Sequence, residues 1–104
     1  MAEAAGAVVN LFKSNIIYIN VMANMSVDCD CCAVAEDPCL KDIGVLISTD
    51  PVAIDRACID LVLKSGDIGR EHFMKRVTSR NGEHIIDAAQ SLGIGSKKYE
   101  LIEL

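Results

Sequence analysis

The sequence contains no tryptophan, and aromatic residues make up only 4% of its 104 positions. With 51% of the chain hydrophobic, a core has to be assembled from Ile, Val, Leu, Ala and Met. No run of Lys or Arg occurs and the formal net charge is −5. Neutralising a phosphate backbone takes a basic stripe, so nucleic acid is not an expected partner. No apolar run approaches the roughly 20 residues that span a bilayer. The opening segment Met1–Gly6 carries Glu3 and no basic residue, unlike a secretory signal. A cytoplasmic protein without a membrane partner is the expectation. The chain also lacks a G-x-S-x-G elbow, a glycine-rich phosphate loop and an H-E-x-x-H helix. His72 and His84 have no second histidine at ligand spacing and read as surface residues.

What is present is concentrated in one stretch. Four of the five cysteines (Cys29, Cys31, Cys32 and Cys39) lie within eleven positions, among Asp28, Asp30, Glu36, Asp37 and Asp42. An odd cysteine count in a reducing compartment argues against a disulfide framework and for thiols, a metal site or redox chemistry. Thiolates are soft ligands for zinc, copper(I) or an iron–sulfur cluster. The surrounding carboxylates disfavour thiolates in an empty loop and attract a cation. The spacing C-x-C-C-x6-C matches no common C-x2-C hook, so small buried cysteines or a disulfide are the competing structural readings. Cys58 falls on the apolar side of a helix and reads as a packing residue.

Around this loop the pattern is α/β. Ala2–Lys13 reads as a short helix, and Ile16–Ala23 and Ile43–Ile47 as strands covered on both faces because their apolar character is nearly continuous. Asn20 interrupts the first and needs a partner if buried. Gly44 marks a close approach of backbone or ligand. Asp50 followed by Pro51 starts a helix to about Lys64 with an apolar stripe of Ile54, Ala57, Cys58, Leu61 and Val62. Arg56, Asp60 and Lys64 fall on its solvated side. Helices follow over Asp67–Val77 and Glu83–Leu92, the latter closed by Gly93 and Ile94, and Tyr99–Leu104 reads as an edge strand. The expected fold is one small layer-packed α/β domain over residues 1–104, with about three strands, at least one parallel pair, and three to four helices.

The strand-to-helix step at Asp50–Asp55 is where α/β folds bind ligands. Asp50 and Asp55 are therefore candidate cofactor-binding residues, beside a structural reading in which Asp50 only caps its helix. Cys29, Cys31, Cys32 and Cys39 are the candidate metal ligands.

Three blocks, YINVMANMSVDCDCC, DIGVLISTDPVAIDRACIDLV and LGIGSKKYELIEL, occur in this order from Tyr18 to Leu104. Together they resemble the C-terminal part of the uncharacterised Fe–S center proteins, the domain-of-unknown-function family 362. The resemblance implies a C-terminal-type module of a larger architecture whose longer members carry ferredoxin-type cysteine hooks upstream. This chain has no such hook, so what carries over is the block Cys29, Cys31, Cys32 and the block Asp50–Asp55. The implied function is metal or iron–sulfur binding in a redox setting, with an iron–sulfur cluster or zinc as cofactor and a homo-oligomer or a ferredoxin-type protein as partner. The alternatives are a non-catalytic oligomerisation or interaction module with structural cysteines, and an enzyme using a loop thiolate.

Overall fold

The computed structural model describes residues 1–28 and 31–104. Helix α1 (Ala2–Phe12) leads into strand β1 (Tyr18–Met22), and a long loop returns the chain as strand β2 (Gly44–Ser48). Helices α2 (Pro51–Lys64), α3 (Arg70–Ser79) and α4 (His84–Ser91) follow.

β1 and β2 pair antiparallel, with Tyr18 opposite Ser48, Asn20 opposite Leu46 and Met22 opposite Gly44. They form a two-stranded sheet. The expected parallel pair and third strand are thus corrected. Tyr99–Leu104 runs alongside β2 without pairing to it, and no other strand is found among the described residues. The expectation of strands buried on both faces also fails. Side chains alternate, so Tyr18, Asn20, Met22 and Leu46 turn towards α2 while Ile19, Val21, Val45 and Ile47 face outward, 60–68% exposed. An unbroken apolar run left the burial of each face undetermined, because only what packs against a face decides it.

The helices all lie on the inner side. α2 contacts both strands, α3 and α4 rest on α2, and α1 rests on α4. The molecule measures only 20 Å along its shortest axis, as one sheet and one helical layer require. The core gathers around Met22, Leu40 and Val62, with Cys39, Cys58, Leu61 and Phe73 packed against them. Leu92, at the end of α4, is half-exposed.

Two glycines explain local geometry. Gly44 sits at φ 145° and a side chain there would meet nothing of the chain within 4 Å, so its backbone conformation and not a close approach of another segment explains it. Gly6 in α1 lets Ile94 come within 3.1 Å of where a Cβ would stand. Gly93 closes α4 at φ 74°, and Ile94 donates its N–H to the carbonyl of Ala89 at 3.1 Å, as a left-handed helix cap predicts.

Candidate functional site

The cysteine loop is cross-braced from its ends inward. Ile43 donates its N–H to the Met22 carbonyl at 2.9 Å, and Cys39 donates to that of Met25 at 2.9 Å. Ser26 Oγ donates to the Glu36 carbonyl at 2.7 Å, and Asp28 Oδ2 accepts the Glu36 N–H at 2.8 Å. Asp42 Oδ1 accepts the N–H of Asn24, whose φ of 52° turns the chain out of β1. Helix α3 clamps the result. Arg76 Nη1 bonds Asp28 Oδ1 at 2.8 Å, and His72 Nε2 lies 2.7 Å from Glu36 Oε2.

Much of the acidic character expected to attract a cation is therefore engaged in holding the loop. The Glu36 amide, followed by the Arg76 guanidinium, keeps the Asp28 carboxyl below the ordinary carboxylate range. A carboxyl depressed on folding stabilises the native state above its unfolded value and stops doing so as pH falls through its native one. The brace between Asp28 and Glu36 should accordingly hold at neutral pH and release below about pH 4. The protection of the Glu36 amide, its exchange rate relative to the intrinsic rate at each pH, should be steady from pH 6 and drop below about pH 4 in the wild-type chain. In Asp28→Ala, which has no acceptor for the Glu36 N–H, protection should already be lost at pH 6.

The candidate metal ligands separate into two groups. Cys31 and Cys32 are exposed at the outer end of the loop, whereas Cys39 is half-buried against the core cluster. Cys29 and Asp30 lie outside the described residues. Among the described residues no three His, Cys, Asp or Glu side chains converge to hold a metal ion. Cys39 packs against the core as a small apolar side chain would.

Asp50 occupies the position expected of it and accepts three backbone N–H groups there. Its Oδ1 accepts the N–H groups of Val52 at 2.9 Å and Ala53 at 3.0 Å, and its Oδ2 accepts that of Ser96 at 3.0 Å. One carboxylate thus caps α2 and ties down the chain after α4. Gly95 makes room for it, since a Cβ there would stand 2.1 Å from Asp50 Oδ1. The tie to Ser96 was invisible in the sequence, because it joins positions 46 apart.

Asp55 joins α2 to β1 instead. Asn20 Nδ2 donates to Asp55 Oδ1 at 2.9 Å and to Cys58 Sγ at 3.3 Å, which provides the partner that Asn20 needed. Desolvation pushes the Cys58 thiol up, partly offset by the Asn20 hydrogen bond. Cys58 is therefore protonated and a poor nucleophile at neutral pH. Asp55 and Tyr18 also line a cavity of about 310 Å³ between α1, α4 and the start of α2. The Tyr18 hydroxyl is buried with no hydrogen-bond partner among the described residues.

A second polar cluster escaped sequence reasoning. Arg56 Nε donates to Asp60 Oδ1 at 3.0 Å and Arg56 Nη1 to Glu83 Oε1 at 2.7 Å, while Tyr99 Oη donates to Asp60 Oδ2 at 2.6 Å. The Arg56 bond holds Asp60 below its usual range, and Asp60 in turn raises the Tyr99 phenol. The i, i+4 spacing of Arg56 and Asp60 was legible, but their partners Glu83 and Tyr99 were not. This cluster anchors the start of the C-terminal tail to α2. Beyond it, the tail faces β2 across a groove of about 580 Å³ floored by Ile54, Ala57 and Leu61.

No described helix is long and apolar enough to cross a membrane. The family model described as "Domain of unknown function (DUF362)" matches residues 1–60. It takes in the block Tyr18–Cys32 and most of the block beginning at Asp42, and stops before the block beginning at Leu92. No curated protein and no solved structure matches the chain.

Proposed function

The chain belongs to the DUF362 family, and on that premise we propose that it works as a non-catalytic interaction module that pairs with a second copy of itself through the outer sheet face. The observation that supports this reading is the bare patch of Ile19, Val21, Val45 and Ile47. Ile19 stands opposite Ile47 and Val21 opposite Val45, so four β-branched side chains form a contiguous surface. Such patches mark interaction sites in soluble proteins. The occupant follows from charge. The patch contains no ionisable side chain in a molecule of net charge −5. An uncharged, shape-uniform surface meets its own copy across a two-fold axis without opposing like charges. Two sheets stacked in this way, about 10 Å apart, would bury both faces as in a sandwich.

The test is sedimentation equilibrium on the whole chain. Wild type should dimerise, and Val21→Lys should weaken the dimer by about a hundredfold or more, because a lysine without a partner would be buried in each copy. Val21 is solvent-exposed in the monomer, so far-ultraviolet circular dichroism should not change. A wild-type chain that stays monomeric up to about 1 mM, or a Val21→Lys variant that dimerises as well as wild type, would refute the reading.

A second reading rests on the adjacent pair Cys31 and Cys32, both exposed on a braced loop. In it, the outer loop takes up a soft metal ion and Cys39 takes no part, being packed on the core. Anaerobic titration with cobalt(II) or zinc should then saturate at one ion per chain. Binding should vanish in a Cys31→Ser, Cys32→Ser double variant and persist in Cys39→Ala. Failure to bind, or loss of binding in Cys39→Ala, would exclude this arrangement.

A further inference from the structure

The groove between β2 and the C-terminal tail has an unusual construction. One wall is the outer edge of β2, from Gly44 to Ser48, whose backbone among the described residues pairs only with β1 on its other side. The opposite wall is the segment Tyr99–Leu104, and none of its backbone groups is hydrogen-bonded among the described residues. The floor is apolar, from Ile54, Ala57 and Leu61 of α2. The groove therefore has a hydrophobic base between two lines of unpaired N–H and C=O groups.

Unpaired strand edges are templates for a further strand. The tail is positioned to be that strand but does not reach β2. Tyr99 is bonded through its hydroxyl to Asp60 of α2, and a groove of about 580 Å³ lies between β2, α2 and the tail. The charge of the groove is equally specific. Glu100 and Glu103 carry the only ionisable side chains in its lining besides the Tyr99 phenol, and neither forms an ion pair among the described residues.

We infer that this groove binds an extended segment of another polypeptide by strand addition to β2, with apolar side chains on the α2 floor and Lys or Arg side chains meeting Glu100 and Glu103. The five residues of β2 extend over about 16 Å, enough to register five or six residues of such a segment. Main-chain pairing with β2 supplies the affinity in this mode, and alternate side chains supply the specificity. The inference goes beyond the self-association reading and does not rest on it: Val45 and Ile47 belong to both surfaces, but Ile19 and Val21 belong to the outer face alone.

The test uses the whole chain and a synthetic Val-Lys-Val-Lys-Val-Lys peptide, followed by amide chemical shifts. Addition of the peptide should move the amides of Gly44–Ser48 and of Glu100–Leu104, and leave those of β1's outer edge unmoved. A peptide with proline at the second and fourth positions should bind at least about tenfold more weakly, the equivalent of one or two lost ladder hydrogen bonds. The Val-Glu counterpart should also bind more weakly, and a Glu100→Gln, Glu103→Gln variant should narrow that difference. Equal binding of the proline peptide, equal binding of the Val-Glu peptide, or shifts confined to Ile19 and Val21 would overturn the inference. So would absence of binding together with slow amide exchange along β2 in the free protein, which would show that the tail itself closes the groove. Repeating the titration in Val21→Lys separates the outcomes, because that variant removes the self-association face and leaves the groove intact.

Discussion

Replacing Gly69 with alanine is expected to lower the stability of the chain by about 2–4 kcal/mol, which is large for a single added methyl group. An ideal Cβ at this position would stand 1.7 Å from the carbonyl oxygen of Cys39 and 2.7 Å from its carbonyl carbon. Both are backbone atoms, so no side-chain rotation relieves the overlap, and either the loop or the start of α3 must move. The consequences are local and named. Asp67 accepts the N–H of Gly69 through Oδ1 at 2.8 Å and that of Lys41 through Oδ2 at 2.9 Å, so one carboxylate joins the two segments in contact here. Between Cys39 and Lys41 lies Leu40, one of the three buried residues at the centre of the core. Pushing this segment outward breaks the Lys41 bond and exposes Leu40 together. Urea denaturation should show a lower midpoint with an unchanged slope. Glu71→Ala, on the exposed face of α3, should change stability by less than about 0.5 kcal/mol. A Gly69→Ala variant as stable as wild type would show that the loop is not held by this contact.

Asp50→Ala should destabilise by about 3 kcal/mol, because it removes the acceptor of three backbone N–H groups at once. Asp50→Asn should lose less, about 1 kcal/mol, since the remaining side-chain carbonyl still caps α2. Gly95→Ala attacks the same contact from the other side, placing a Cβ 2.1 Å from Asp50 Oδ1. The double variant Asp50→Ala, Gly95→Ala should therefore fall well short of the sum of the two losses, because the first change removes the atoms that the second would strike. Additive losses would mean that the two positions do not share one contact. An Asp50→Ala chain of undiminished stability would return Asp50 to its other role, that of a ligand-holding residue at the strand-to-helix step.

How much of this was legible in the sequence differs by element. The start of α2 was read from Asp50-Pro51, and the close of α4 from Gly93-Ile94, because caps are written in two or three adjacent residues. β1 and β2 were read from β-branched runs, but their direction and exposure were not. A run such as Ile16–Ala23 carries no label for which face will be covered, and the expectation of a parallel pair depended on a third strand that the tail does not form. The cysteine loop was located correctly as a stretch and only partly in character. The pattern of its carboxylates does not show that Asp28, Glu36 and Asp42 bond to Arg76, His72 and the Asn24 amide. Each of those partners is between 18 and 48 positions away, beyond any spacing rule.

The sequence by itself determined the helices to within a few residues at their ends, the caps at Asp50 and Gly93, the aliphatic nature of the core and the place of the acidic cysteine loop between two strands. These follow from interactions spanning a few residues, where propensity, periodicity and capping chemistry act. Only the tertiary structure decided that Cys39 belongs to the core while Cys31 and Cys32 face solvent, and that Asp50 holds Ser96. It alone left one face of the sheet and one edge of β2 uncovered. Those outcomes depend on which surfaces meet, and burial is a property of the pair of surfaces in contact and not of either segment alone.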